Sequence, residues 1–282
     1  MKAIIFHLLL ITVSYSANAQ AQMKVSKVLS KNNVSIAYEV HGEGNTALVF
    51  VHGWSCDRSY WKKQLQFFSK SYRVVAVDLG GHGQSGLGRN NWTIYSFGSD
   101  VAAVVKKLRL QRVILIGHSM GGDVVADAAR QLPGIVIGLV MVDTYKELSN
   151  GRSIESVKAF VNKFKLNFSD SIRPLIRSMF LKTSDPALVE FVIMDMSSAP
   201  SAVALSALES SFNHSREITN DLGKLKLPVF AINPDNEPTD TLSMQKHGVE
   251  TVIMPGVGHF LMMEDPIRFN ELLFTVVKKL EK

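Results

Sequence analysis

Cysteine is nearly missing: Cys56 is the only one in 282 residues. A disulfide within the chain is therefore excluded, and the fold has to hold by core packing alone. The eight histidines fall into no metal-ligand spacing, so no catalytic metal is expected. Basic runs are lacking as well. The 31 lysines and arginines are interspersed with 25 acids, and a formal net charge of +6 spread in this way makes no nucleic-acid footprint. No apolar run reaches the roughly 20 residues that cross a bilayer, so no stable membrane span is expected. Internal repeats and low-complexity tracts are likewise missing.

What is present begins with Met1-Lys2, an apolar run over residues 3–13, and then Ala17-Asn18-Ala19. A charged start, a short apolar centre and a small-x-small site predict a secretory signal peptide over residues 1–19, cut near Gln20. The expected location is then secreted or periplasmic. Ser14, Ser16 and Asn18 interrupt the run and argue against its serving as an anchor. Loss of Lys2 with the leader lowers the net charge from +6 to +5.

With 46% hydrophobic residues, the chain can bury one large core. Residues 34–40 alternate apolar and polar side chains, as a half-exposed strand does. Continuous, largely β-branched runs follow at 47–51, 74–77, 113–116, 136–142 and 229–232, the pattern of strands buried on both faces of a parallel sheet. Helical patterns fall between them at 60–68, 95–108 and 124–131. This alternation predicts an α/β fold with a doubly wound, mostly parallel sheet. The rhythm breaks after Asp143, where roughly 80 residues pass before the next buried strand, far beyond an ordinary crossover. Amphipathic stretches at 154–164, 172–181, 186–194 and 202–210 fill the gap. The expected organisation is a core over residues 20–144, an inserted helical lid over 145–224, and the rest of the core over 225–282.

The most informative stretch is residues 113–122, where an apolar strand pattern runs into Gly117-His118-Ser119-Met120-Gly121 and a helical pattern follows. A serine between two glycines at a strand-to-helix junction is a nucleophile elbow. Its hydroxyl would stand at a helix N-terminus, where the dipole favours negative charge developing in acyl transfer. A serine hydroxyl needs a base to accept its proton. His259, in the glycine-rich loop Gly256-Val257-Gly258-His259, is the candidate. His41, His214 and His247 sit in turn-like or polar stretches with no motif around them. An oxyanion would need backbone donors: the N–H of Met120, next after Ser119, and that of Trp54 in His52-Gly53-Trp54. His52 itself is either an acid–base group or a structural hydrogen-bond former. His118 is expected to pack or hydrogen-bond beneath the elbow. The run Asp78-Leu79-Gly80-Gly81-His82-Gly83 lacks the lysine of a phosphate loop, and a structural turn is expected there.

Taken in order, His52-Gly53-Trp54, residues 78–85, Gly117 to Gly121 and Gly258-His259 resemble the landmarks of the α/β-hydrolase superfamily, in its serine-esterase and cofactor-free haloperoxidase-like branch. The resemblance runs from about Val34 to the C-terminus and implies an eight-stranded sheet. Ser119 argues against the group with an aspartate nucleophile. Serine members hydrolyse an ester, thioester, lactone or carbon–carbon bond with no cofactor. The implied activity is hydrolysis of a small or medium carboxylic ester with an apolar acyl part through an acyl-enzyme on Ser119, with a small-molecule partner. A receptor-like binding protein, or a carbon–carbon hydrolase or lyase using the same residues, is the alternative.

The resemblance also implies an acid that orients His259. Members of the fold usually place it in the loop after the strand corresponding to residues 228–232. That loop reads Asn233-Pro234-Asp235-Asn236-Glu237-Pro238, with proline where glycine is expected. Asp235 is the first candidate, Asp143 at the end of the preceding strand the second, and Glu237 the third.

Overall fold

A computed structural model of the chain describes residues 25–31, 33–148 and 151–282; the expected signal peptide lies outside them. Eight strands form one sheet: β1 (Ser26–Leu29), β2 (Ser35–His41), β3 (Ala47–Val51), β4 (Arg73–Val77), β5 (Val113–His118), β6 (Val136–Val142), β7 (Val229–Pro234) and β8 (Val249–Met254). Their order is β1-β2-β4-β3-β5-β6-β7-β8. The pairings β1/β2 and β2/β4 are antiparallel, and the remaining five are parallel. Every residue of β3 and β5 is buried, which explains why both read as unbroken apolar runs rather than alternating ones. β1 shows only a four-residue half-exposed pattern at the edge, too short to announce itself in the sequence.

Helices α1 (Lys62–Phe68), α2 (Ile94–Lys107) and α3 (Met120–Arg130) alternate with the strands. α2 starts on a reciprocal capping box between Thr93 and Ser96, which satisfies two backbone donors at its N-terminus. Between β6 and β7 lie five helices: α4 (Ile154–Asn162), α5 (Phe168–Ser178), α6 (Pro186–Ser197), α7 (Ser201–His214) and α8 (Ile218–Leu225). The first four fall where the amphipathic pattern predicts helices, and α8 had no such signal. The chain closes with α9 (Thr241–Lys246), α10 (Leu261–Glu264) and α11 (Pro266–Leu280). The loop after β4 is a structural turn, as its lack of a lysine suggested. The buried Asp78 carboxylate accepts from the backbone N–H groups of Arg58 and Gln84, each at 2.8 Å, and pairs with the Arg58 guanidinium.

The five helices are tied to the sheet domain by specific polar contacts. Trp54 Nε1 donates to the Ala204 carbonyl at 2.7 Å, and Tyr60 donates to Asp195 at 2.7 Å. Trp92 and Ile94 donate backbone N–H groups to Ser206 and Ser210. A buried cluster at the C-terminus of α7 completes the attachment. His214 lies between Asp123 of α3 at 3.1 Å and Asp221 of α8 at 3.2 Å, and Asp221 pairs with Arg130 at 2.6 Å. Nothing in the sequence pattern around His214 pointed to this role, because its two partners lie on other helices. Burial disfavours the imidazolium. The hydrogen bonds and charges of Asp123 and Asp221 outweigh burial and raise the His214 pKa above its ordinary value.

A histidine whose pKa is raised by folding contributes stability that is full below its unfolded value, near 6.5, and is lost as pH climbs through the folded value. His214→Gln should therefore lose about 1–3 kcal/mol near pH 5.5, the size of hydrogen bonds to charged groups. The deficit should shrink on the alkaline side. Urea unfolding of both proteins across pH 5.5–9.5 checks this, and a deficit independent of pH would show that the charge on His214 does not contribute.

Candidate active site

Ser119 sits at the end of the central strand β5 with φ 52° and ψ −123°, backbone angles that side-chain-bearing residues rarely adopt. The turn is held because its neighbours are glycines. A Cβ on Gly117 would lie 2.1 Å from the Gly121 carbonyl oxygen, and one on Gly121 would lie 2.6 Å from the carbonyl oxygens of Val51 and His52. All of these obstacles are backbone, which cannot swing aside. The Ser119 N–H donates to the Val142 carbonyl at 2.8 Å, tying the turn to β6. The half-buried Ser119 therefore opens α3, as the elbow motif predicts.

His259 is fixed on three sides. Its backbone N–H donates to the Met179 carbonyl, just past α5, at 2.9 Å. Its carbonyl accepts from His118 Nε2 at 2.9 Å, and the two rings lie 4.6 Å apart. Burial, followed by the neighbouring His259, pushes the His118 pKa down to about 3, so His118 is neutral with its proton on Nε2. Its role is to hold the His259 backbone beside the residue that precedes Ser119. The His259 ring donates from Nδ1 to Asp143 Oδ2 at 2.6 Å.

The carboxylate that meets His259 is thus Asp143, the second of the three candidates, and not Asp235, the first. Asp235 is exposed and accepts from the Gly256 N–H at 2.9 Å, while Glu237 is also exposed. The reason is strand length. β7 continues through Asn233 and Pro234, which pair with Ile253 and Met254 of β8, so the loop begins later than the apolar run implies. Asp235 is carried past the sheet edge, whereas Asp143 directly follows β6, whose last residue, Val142, pairs with Ile232, so that β7 runs two residues further. Asp143 also has a left-handed backbone, with φ 45°, and donates its N–H to the Ile232 carbonyl at 2.9 Å. Burial would raise its pKa. Its hydrogen bond and charge interaction with His259, together with the Lys146 ammonium, more than offset this and hold the carboxyl below its ordinary value.

The loop after β3 packs directly on the elbow: a Cβ on Gly53 would lie 3.3 Å from Ser119 Cβ. Trp54, next in the chain, is buried, and its indole edge meets Phe168 with ring centroids 5.9 Å apart. The Met120 N–H is at the first position of α3, where no carbonyl within the helix can accept it. His52 is fully engaged. Nδ1 donates to the Gly53 carbonyl at 2.8 Å, and Nε2 accepts the Leu79 N–H at 3.0 Å. Burial lowers its pKa, so the ring is neutral and acts as a bridge between two loops.

A cavity of about 280 Å³ opens at Ser119. Met120, Leu148 and Phe212 supply its apolar lining; Thr144, Tyr145 and Ser211 are among the polar residues. Asp123 also faces it and accepts from Tyr145, from Ser211 at 2.8 Å and from His214. The sequence pattern does not reveal these wall residues, since helical period alone does not say which side of α7 meets α3. Elsewhere in the segment between β6 and β7, Phe180 stacks on Phe260 with ring centroids 4.9 Å apart. Phe191 is about half exposed beside Tyr60. Among the described residues, no group of three or more histidine, cysteine, aspartate or glutamate side chains is arranged to hold a metal ion.

The chain is 25% identical over 256 residues to the dihydrolipoyllysine-residue acetyltransferase component of an acetoin cleaving system from Pseudomonas putida, matching 86% of this chain and 66% of that protein. It is 40% identical over 101 residues to a non-heme chloroperoxidase from Burkholderia pyrrocinia, matching 35% of this chain and 36% of that protein. The chain thus spans two thirds or less of the length of either relative. In fold it is similar to a thermophilic esterase from Thermogutta terrifontis, with a TM-score of 0.80 and 22% identity over 92% of this chain and 100% of the other. The family model for the alpha/beta hydrolase family matches residues 48–272, and the chain belongs to that family.

Proposed function

We propose that the protein hydrolyses a small carboxylic ester or lactone through an acyl-enzyme on Ser119. The observation that carries this reading is the 2.6 Å hydrogen bond from His259 Nδ1 to Asp143, which leaves the far ring nitrogen as the free base. His259 would accept the proton of Ser119 as its oxygen attacks the acyl carbon, and then pass that proton to the leaving alcohol. The N–H groups of Met120 and Trp54 would receive the negative charge that builds on the acyl oxygen. In the second half, His259 would take a proton from water, whose oxygen attacks the acyl carbon and frees Ser119. Asp143 would fix the imidazole tautomer and stabilise the imidazolium.

The cavity supports a small substrate, since its 280 Å³ lies just below the range of pockets that take drug-sized ligands. Its mixed lining favours an acyl group carrying a polar substituent over the purely apolar one that the sequence suggested. In this reading helices α4–α8 act as the lid, with Phe212 of α7 and Leu148 as its apolar contacts with substrate. Export to the periplasm or medium, read from residues 1–19, is part of the same proposal.

Turnover of a panel of p-nitrophenyl esters and lactones tests the reading. Ser119→Ala and Asp143→Asn should each lower kcat by ~10⁴ or more, while Asp235→Asn should stay within about threefold of the parent. A full loss in Asp235→Asn with an active Asp143→Asn would overturn the assignment of the acid. Unchanged hydrolysis by Ser119→Ala would remove the nucleophile. No turnover at all, with a ligand that raises the melting temperature, would point to a binding protein instead. In the lid, Phe212→Ala should shift preference by about one or two methylenes toward longer acyl chains, with a tenfold or greater change in the kcat/KM ratio. An unaltered chain-length profile would take Phe212 out of the substrate's path.

A further inference from the structure

We infer that Lys146 is a positioning residue of this site: its ammonium holds the second oxygen of Asp143 and so fixes the orientation of the His259 imidazole. The inference rests on the hydrolase reading above. Asp143 divides its two oxygens, with Oδ2 on His259 Nδ1 at 2.6 Å and Oδ1 on Lys146 Nζ at 2.9 Å. The ammonium has three N–H donors, and three acceptors surround it. The other two are the Pro234 carbonyl at 3.0 Å and Asn236 Oδ1 at 3.5 Å. The lysine backbone is held as well. The Lys146 carbonyl accepts the Asp240 N–H at 2.8 Å, and the carbonyl of the preceding Tyr145 accepts from Asn233 Nδ2 at 2.8 Å. The loop after β7, where the sequence pointed for the acid, thus supplies the seat of a cation that holds an acid from β6.

One consequence follows from this geometry. A carboxylate anchored through both oxygens does not rotate freely about its Cβ–Cγ bond, so the imidazole keeps one orientation through attack and release. The other charges around His259 do not duplicate this. His118 is neutral, as its lowered pKa requires. Glu264 accepts the Gly258 N–H at 3.0 Å and the Ser184 hydroxyl at 2.6 Å, and Asp235 accepts from Gly256. Asp123 and Glu147 face the cavity beside Ser119, while Glu237 and Asp240 on the loop after β7 are exposed. Each of these carboxylates is negative when ionised, and Arg152, another cation lining the cavity, lies over the Phe212 ring, so Lys146 is the cation seated on Asp143.

The test compares Lys146→Met, Lys146→Gln and Lys146→Arg in the full chain, each first shown to be folded by near-ultraviolet circular dichroism. kcat and KM are measured at one pH on the best ester of the panel. Lys146→Met should lower kcat by about tenfold with KM within about twofold. Lys146→Arg should bring kcat back to within about threefold of the parent, because a guanidinium can hold the same oxygen. Should the Met variant fail to fold, Lys146→Gln carries the same comparison. A parental kcat in both neutral variants, with only a lowered melting temperature, would show a loop tie and overturn the inference. So would an arginine variant indistinguishable from the neutral ones. An active parent with an inactive Ser119→Ala keeps the hydrolase reading intact in either case, so the two failures are distinguishable.

Discussion

The close approach of three backbone segments at the end of β5 is the constraint on which the rest of the site depends. Gly117, Gly121 and the Val51–His52 peptide come so near one another that no Cβ fits between them. Ser119 is left in a conformation that costs on the order of 1–3 kcal/mol. The cost is carried by the strand beneath, all of whose side chains are buried, each large aliphatic one contributing roughly 1.5–3 kcal/mol. A hydroxyl is thereby displayed at a helix N-terminus by a fully buried strand. Its position also sets where everything else must arrive.

What arrives comes from distant parts of the chain and is held mainly through main-chain groups. His259 is clamped by Met179 from the helical segment and by His118 from β5, so its position is set by two elements outside its own loop. The helices between β6 and β7 therefore bear on the site twice. They supply a carbonyl that seats His259, and through Phe212 and Ser211 they line the cavity at Ser119. Their attachment runs through hydrogen bonds to Trp54, Tyr60, Trp92 and Asp123, all outside the segment. Anything that loosens the segment acts on the geometry of His259 as well as on the cavity.

Much of this arrangement is legible in the amino-acid sequence itself. The central strands are legible because strands buried on both faces must be apolar throughout, and β3 and β5 are. Ser119 is legible because a turn this tight demands glycine on both sides, a local requirement that leaves a local mark. His259 is recognisable from its glycine-rich loop and its place after the serine in chain order. The half-exposed edge strand β1 and the helix α8 leave no such mark, being only four and eight residues long.

The acid shows where local reading stops. Asp143 and Asp235 each follow an apolar strand pattern, and nothing in either neighbourhood says which strand ends closer to the histidine. The answer lies in the pairing of Asn233 and Pro234 with β8, which lengthens β7 and carries Asp235 away. The Asp123–His214–Asp221 cluster is of the same kind, since its members lie on three helices and leave no sequence period. Lys146 lies only three residues after Asp143, but its other acceptors, Pro234 and Asn236, come from the end of β7 and the loop after it. The sequence by itself determined the α/β layering, the serine turn and the histidine's loop, because each follows from backbone sterics or burial along a short stretch. Only the tertiary structure decided which carboxylate meets His259, the seat of the lysine behind it and the walls of the cavity, because those depend on the register and length of strands and helices that meet across the sheet.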